Sequence, residues 1–325
     1  MTTRGLIVGA VLALLLAVAA AGLVLAGQRD EERSEPPPPA SSELSLLIVE
    51  TGGDAFAAVV GTTGGGRRHG VLVVPAELSV MIPGQGDGTV AEALGLPSRQ
   101  AATAVANLLG VWVDHHAAIE AETLAAVVDR IGGIVVGGSR LAGGEVVTFL
   151  GEAGPGGSAA FEQVLEALLA ASPAWGAGDL SETDSAPDVL EALGAAAGAD
   201  VRALPSEEVA SGIFRAGPEV VRAALVEVFG GPDREVVPVI VLNGSGAPGI
   251  GELVAEKVVP GGFRIVVNEN ASAFDHDETL VVVGSADDVG LGDRVRDLLG
   301  VGSVSVSVSS GIAPVTVVVG KDFTG

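Results

Sequence analysis

The stretch "VLNGSGAPGIG" spans residues 241 to 251 and carries the spacing G-x-G-x-x-G at Gly244, Gly246 and Gly249. An aliphatic run, Val236–Leu242, precedes it, and Gly249–Val259 has the pattern of a helix. The order of strand, glycine turn and helix predicts the start of an α/β unit. The predicted elements that complete this unit are strands Phe263–Asn268 and Thr279–Val283, helix Asp288–Leu299, and strands Val304–Val308 and Pro314–Val319.

Dinucleotide-binding folds use the same glycine spacing, because their backbone N–H groups and helix N-terminus face a pyrophosphate. Glu269 lies near the position of a ribose-binding acid. However, Pro248 removes one N–H donor, the acidic stretch Asp275–Glu278 would repel phosphate, and no second mononucleotide-binding half follows. We therefore predict that Gly244, Gly246 and Gly249 form a structural turn that binds no cofactor. A nucleotide-binding protein built on Gly244–Gly249 is the least favoured alternative.

A family resemblance accounts for the turn and for its surroundings. The sequence "VPVIVLNGSGAPGIGELVAEKVVPGGFRIVVNENA", followed by "ETLVVVG", "RVRDLLG" and "VTVVVGKDF", resembles the LytR cell-envelope-related C-terminal domain. The hallmarks are Asn243-Gly244 after the first strand, Gly249 at the helix start, and the closing Gly320-Lys321-Asp322. The resemblance covers Val236 to Phe323. It implies an exported protein, because this domain recurs on exported actinobacterial wall proteins.

Upstream, three stretches resemble the LytR–CpsA–Psr (LCP) domain. They are "GGDAFAAVV" (Gly52–Val60), "VLVVPAELSVMIPG" (Val71–Gly84) and "LGVWVDHHAAIEAETLAAVVDRIGGIVV" (Leu109–Val136). The resemblance implies a phosphotransferase that moves a glycopolymer from polyprenyl pyrophosphate to peptidoglycan. The resemblance also implies that Asp54 is an aspartate of the family's active site that this chain retains.

The departures from the LCP pattern concern its positive charges. Where the family motif has an arginine followed by an aspartate, this chain has Ala76 and Glu77. Gly88-Thr89 lies near the position of the family's lysine. The region implied to hold further arginines, Thr148–Gln163, has no Arg or Lys. Transfer from a diphosphate needs cations to stabilise the charge that develops. We therefore predict no catalytic residues. The alternative is an active transferase that uses Asp54 and Glu77 with Mg²⁺.

Short apolar runs separated by glycine-rich turns predict the elements of this upstream part. Predicted strands are Leu46–Glu50, Ala55–Gly61, Gly70–Pro75, Val111–Glu120 and Glu145–Leu150. Predicted helices are Ser98–Leu109, Ala121–Ile131, Ser158–Ala171 and Pro218–Phe229. Strands mixed with helices indicate a layered α/β domain.

The amino-terminal run Leu6–Ala26 is uncharged and long enough to span a bilayer. The flanking charges favour an amino terminus inside the cell and an exported remainder. A cleaved signal peptide is the alternative. The predicted organisation is a cytoplasmic tip and transmembrane helix (residues 1–27), an acidic, proline-rich linker (28–43), a degenerate LCP-like mixed-sheet α/β domain (44–230) and a smaller α/β LytR C-terminal domain (231–325).

The composition and the other polar clusters narrow the function. The 325-residue chain has 41 acidic and 17 basic residues, a net charge of −24 and no cysteine. Nucleic-acid binding and thiolate metal sites are therefore not expected. Adjacent His115 and His116 point to opposite faces of a strand, and Asp275–Glu278 reads as a solvated loop, so we predict no metal site. The leading prediction is a non-catalytic, membrane-anchored, extracytoplasmic protein whose partners are wall polymer or envelope proteins.

Overall fold

The first sheet has five strands and mixed pairing. The computed structural model describes residues 43–62, 69–154, 156–171, 186–231, 235–307 and 311–325, which lie in one compact unit. The strands are β1 (Glu43–Thr51), β2 (Asp54–Thr62), β3 (Gly70–Val74), β6 (His115–Glu120) and β9 (Val201–Ala203), in the order β6-β1-β2-β3-β9. The pairs β1–β2 and β2–β3 are antiparallel, whereas β6 and β9 run parallel to their neighbours. The predicted strands of this sheet are confirmed, except that β6 begins at His115 rather than at Val111.

Helices and small hairpins surround the first sheet. The helices are α1 (Val90–Leu94), α2 (Ser98–Leu109), α3 (Ala121–Arg130), α4 (Gly143–Ala153), α5 (Ser158–Ala170), α6 (Ala186–Ala195) and α7 (Pro218–Phe229). The hairpins pair β4 (Ser79–Ile82) with β5 (Gly86–Thr89), β7 (Ile134–Val136) with β8 (Ser139–Leu141), and β10 (Glu207–Ala210) with β11 (Ile213–Arg215).

The predicted strand Glu145–Leu150 is wrong, because these residues belong to helix α4. Two carboxylates fix the start of this helix. Asp129 Oδ1 accepts the Gly143 N–H at 2.7 Å, and Glu145 Oε2 accepts the Ala142 N–H at 2.8 Å. Val146 and Leu150, four residues apart, face the core. Capping and helical spacing therefore outweigh the strand propensity of the valines.

The second sheet completes the α/β unit predicted for the C-terminal part. Its strands are β12 (Val237–Asn243), β13 (Phe263–Asn270), β14 (Leu280–Val283), β15 (Ser303–Val306) and β16 (Val315–Val319), in the order β13-β12-β16-β14-β15. Helix α8 (Ile250–Val258) joins β12 to β13, and α9 (Val289–Leu299) joins β14 to β15. The last strand, β16, lies between β12 and β14, parallel to the former and antiparallel to the latter.

Two buried layers flank the first sheet. One layer lies between the sheet and helices α3 to α6 and contains Phe161, Leu150 and Leu165, all fully buried. The other layer is continuous with the second sheet, since Leu46 and Leu72 belong to the same apolar cluster as residues of β12. The parts predicted as residues 44–230 and 231–325 therefore share one core.

A buried amide on α2 joins these two parts. Asn107, 1% exposed, accepts the Ile265 N–H at 2.8 Å and donates to the Ile265 carbonyl at 2.9 Å. It also donates to the Met81 carbonyl at 3.2 Å. The side chain thereby satisfies the free edge of β13 as a neighbouring strand would.

Among the residues that the structure describes, no helix combines the length and the apolar character needed to cross a membrane. The predicted anchor Leu6–Ala26 and most of the predicted linker lie outside those residues.

Candidate functional site

Asp54 and Glu77 lie at the same end of the first sheet. Asp54 opens β2 after a tight turn in which the Thr51 hydroxyl donates to the Asp54 carbonyl at 3.2 Å. Strand β3 runs antiparallel to β2 and ends at Val74, so residues 75 to 77 leave the sheet beside Asp54. The two carboxylates that the resemblance singles out therefore lie at one end of the first sheet.

The segment after β3 is fixed by backbone hydrogen bonds to α1. The Ala76 carbonyl accepts the Ala91 N–H at 2.8 Å, and the Ala76 side chain is 4% exposed. Glu77 is half-buried, and its Oε2 atom is shielded from solvent without a hydrogen-bond partner. At the positions where the resemblance implies Arg-Asp, the protein thus has a buried methyl group and an unpartnered carboxylate oxygen.

The region Thr148–Gln163 packs against the first sheet. Its residue Phe161, on α5, lies 5.3 Å from Phe56 of β2, measured between ring centroids. Desolvation raises the pKa of the Glu162 carboxyl, and Glu166 adds to this shift, whereas Arg202 opposes it. The region therefore contributes negative charge and aromatic packing where the resemblance implies arginines.

Several side chains that the structure describes are fully buried in the layer between the sheet and helices α3 to α6. Phe161, Val164 and Leu165 are fully buried there and pack with Phe56 and Val146. Asp54, Ala76 and Glu77 do not line the cavities of about 280, 800 and 140 Å³ that are formed by described residues.

The glycine turn is held by the side chain of Asn243. Its Oδ1 atom accepts the Gly246 N–H at 2.9 Å and the Ser245 hydroxyl at 3.0 Å, and its Nδ2 atom donates to the Ala247 carbonyl at 2.8 Å. Gly246 has φ +78°, a conformation that favours glycine.

Residues of the acidic loop cover the same turn. A Cβ atom on Gly244 would lie 2.7 Å from Cδ2 of His276, and one on Gly246 would lie 3.1 Å from Cβ of Phe274. The His276 N–H also donates to the Gly244 carbonyl at 3.3 Å. The glycines thus allow close approach of the chain's own residues 274 to 276, on the surface where a dinucleotide fold would place its phosphates.

The closing Gly-x-Asp motif has a structural role that the sequence alone did not reveal. Asp322 Oδ1 accepts both the backbone N–H of Thr279, at 2.8 Å, and its hydroxyl, at 2.7 Å. The Gly320 N–H donates to the same hydroxyl oxygen at 3.0 Å. Thr279 is fully buried, so the motif satisfies polar groups at the start of β14.

The remaining polar clusters have partners within the protein. Asp114 Oδ2 accepts the Leu44 N–H at 3.1 Å and so joins β6 to β1, although desolvation raises the pKa of its carboxyl. His115 and His116 lie level with Ser45 and Leu46, at the end of the sheet opposite Asp54. Asp277 pairs with Lys321 at 2.9 Å. Within the described ranges, no group of three or more His, Asp or Glu residues is placed to hold a metal ion.

One segment of the chain matches a known protein family. Residues 236–323 match the family model LytR_C, described as LytR cell envelope-related transcriptional attenuator. The predicted C-terminal resemblance is therefore confirmed over this segment. No curated protein matches the chain.

Several solved structures are similar to the chain, and two of the three described below are LytR-CPS2A-Psr family proteins. A LytR-Csp2A-Psr enzyme from Actinomyces oris is 20% identical, with 58% of this chain and 90% of that chain covered and a TM-score of 0.46. Bacillus subtilis TagV is 15% identical, with 58% and 97% covered and a TM-score of 0.47. The family protein YwtF (TagT), with bound octaprenyl pyrophosphate lipid, is 17% identical, with 62% and 95% covered and a TM-score of 0.45.

Proposed function

We propose that this protein binds a cell-wall polymer, or an envelope protein associated with one, and does not transfer the polymer. The observation that carries the proposal is the missing positive charge beside Asp54. The motif-arginine position holds the buried methyl group of Ala76, and Thr148–Gln163 contains neither Arg nor Lys. A pyrophosphate bound there would meet carboxylates without the guanidinium groups that stabilise a leaving diphosphate.

The packing of the α3–α6 layer supports the same proposal. A polyprenyl chain needs an apolar cavity, and the layer beside Phe56 holds tightly packed side chains that are fully buried. The proposed position in the cell is extracytoplasmic, with Leu6–Ala26 as a single membrane span, the amino terminus inside, and residues 28–43 as a linker. The charge pattern of those sequences supports this arrangement.

An active transferase is the second candidate, because one observation favours it. Glu77 Oε2 is shielded from solvent and has no partner, so it is an oxygen that a divalent cation could bind. Together with Asp54 at the same end of the sheet, it would supply two of the ligands that Mg²⁺ needs, and Mg²⁺ would supply the missing positive charge.

One experiment separates the two candidates. The full chain in detergent is incubated with a polyprenyl-pyrophosphate-linked glycopolymer and peptidoglycan, with and without Mg²⁺, and both transfer and co-sedimentation with purified wall are measured. The binding role predicts co-sedimentation that does not depend on Mg²⁺, with no covalent transfer. Transfer that requires Mg²⁺ and disappears in both Asp54→Asn and Glu77→Gln would establish the second candidate instead.

A further inference from the structure

Arg264, on strand β13, is a half-buried cation without a partner. It forms no ion pair and no hydrogen bond through its side chain with any residue that the structure describes. Two other arginines are paired with carboxylates, Arg222 with Glu219 at 2.6 Å and Arg296 with Asp293 at 2.7 Å.

Two cavities meet at this arginine. The larger, of about 800 Å³, lies between the β4–β5 and β10–β11 hairpins, α2 and β13, and therefore between the two parts that share the core. The smaller, of about 280 Å³, lies between α7, the end of α2 and β12. Arg264 and Pro218 line both cavities. The pair of cavities on either side of these two residues is called the Arg264 cleft below.

The environment of Arg264 disfavours its charge. Desolvation alone lowers the pKa of its guanidinium, with no neighbouring carboxylate acting to raise it, yet arginine stays protonated at neutral pH. A desolvated charge without a partner destabilises a folded protein. Groups kept at a cost in stability are typical of binding sites, where the ligand supplies the missing partner.

The charges around the cleft limit what can bind. The charged residues of the two cavities besides Arg264 are the acids Asp87, Glu92, Glu207, Glu219 and Glu235, and the bases Arg215 and Arg222. Two of the acids already have partners in the protein, because Glu92 accepts the Thr89 N–H at 2.8 Å and Glu219 pairs with Arg222. The excess of acids repels a densely charged polyanion, whereas the free fork of Arg264 suits one phosphate or carboxylate.

The uncharged surface of the larger cavity suits a chain rather than a free ion. Ser79 and Thr89 provide hydroxyl groups, and Val209 and Ile213, 48% and 42% exposed, provide apolar contacts. A volume of about 800 Å³ far exceeds that of one phosphate and is in the range of cavities that hold several connected rings.

We propose that Arg264 binds a single phosphate or carboxylate group on an otherwise neutral carbohydrate chain, whose neighbouring sugars occupy the larger cavity. This inference rests on the proposed function in one respect, namely that the ligand is a wall polymer. Beyond the proposed function, the inference specifies where the polymer binds, which is away from Asp54. It also specifies that the polymer carries few charges.

The first test uses small probes and the full chain in detergent. Glucose 1-phosphate, glucuronate and glucose are titrated at low and high salt while the backbone amide signals of residues 264 to 266 are followed by NMR. Saturable shifts with glucose 1-phosphate or glucuronate, weakened by salt, are expected, and the two probes distinguish a phosphate from a carboxylate. No shift with either anion, or equal shifts with glucose, overturns the proposal.

Variants then separate binding from folding. Arg264→Met is expected to bind the anionic probe at least about tenfold more weakly, while its Tm equals or exceeds that of the wild type. Arg264→Lys retains the charge and is expected to bind with intermediate affinity. The matched control Arg222→Met removes a guanidinium that is already paired in the smaller cavity, and its affinity should not change. Unchanged probe binding in Arg264→Met, or an equal loss in Arg222→Met, contradicts the role of Arg264.

Co-sedimentation with purified wall distinguishes this inference from the proposed function. If Arg264→Met sediments with wall as the wild type does and the probes do not bind, wall binding is real but occurs elsewhere. If the probes bind at Arg264 and the wild type does not sediment, the cleft binds an anionic sugar but the wall is not its source.

Discussion

At the scale of single residues, buried polar side chains join the two parts of the protein. Asn107 could be noticed in the sequence, because it is a polar residue within the otherwise apolar part of the helix Ser98–Leu109. Its partner could not be predicted, since Ile265 is 158 residues away and belongs to another sheet. Arg264 is a similar case. Its sequence position suggests an ordinary strand residue, and only the fold shows that its side chain pairs with none of the carboxylates that the structure describes.

Replacing Asn107 by leucine should destabilise the protein strongly. The substitution leaves the N–H and carbonyl of Ile265 buried without partners, and we expect the free energy of unfolding to fall by about 2 to 4 kcal/mol. Urea denaturation measures this quantity. Thr103→Val is the matched control on the same helix, because the Thr103 hydroxyl only donates to the Arg99 carbonyl within α2, at 3.0 Å, and its effect should stay below about 1 kcal/mol. Equal stability of Asn107→Leu and wild type would show that the contact contributes nothing.

At the scale of elements, hydrophobic periodicity predicted most of the fold and failed where capping decided the outcome. Alternating and aliphatic runs identified β1 to β3 and the elements of the C-terminal unit, and the pattern of Ser158–Ala171 identified α5. Glu145–Leu150 has strand-like residues, but the carboxylates of Asp129 and Glu145 accept backbone N–H groups and so start a helix there. The short β4–β5 and β10–β11 hairpins were not predicted, because strands of three or four residues carry little periodicity. These hairpins form a wall of the Arg264 cleft, so the cleft was not predictable either.

The C-terminal Gly-x-Asp motif should stabilise the second sheet through Asp322. Asp322→Ala removes the acceptor for both the N–H and the hydroxyl of the fully buried Thr279, so we expect unfolding to become easier by about 1 to 3 kcal/mol. Thermal unfolding of the full chain gives the comparison. The control is Asp277→Ala, which removes an exposed partner of Lys321 in the neighbouring loop and should leave the Tm unchanged. Similar losses in both variants would indicate a general effect of removing acidic charge.

At the scale of the whole molecule, the sequence resemblances predicted two domains, and the structure joins them by a continuous core and by Asn107. The contact between the two parts creates the Arg264 cleft, because residues of both parts line it. Asp54 and Ala76, which the LCP resemblance singles out, lie at one end of the first sheet. A binding surface that is formed by two segments far apart in the chain leaves no local pattern, which explains why it appears only in the folded protein.

The shared core predicts that the two parts unfold together. Leu46 of β1 and Val241 of β12 are both fully buried in the same apolar cluster, and exposing either requires opening the layer between the sheets. Native-state hydrogen exchange in increasing urea should therefore give their amides opening free energies that agree to within about 1 kcal/mol. Asn107→Leu should lower both values together. If the amide of Val241 opens at clearly lower urea than that of Leu46, the C-terminal unit is an independent domain, and the Arg264 cleft would then open whenever that unit detaches.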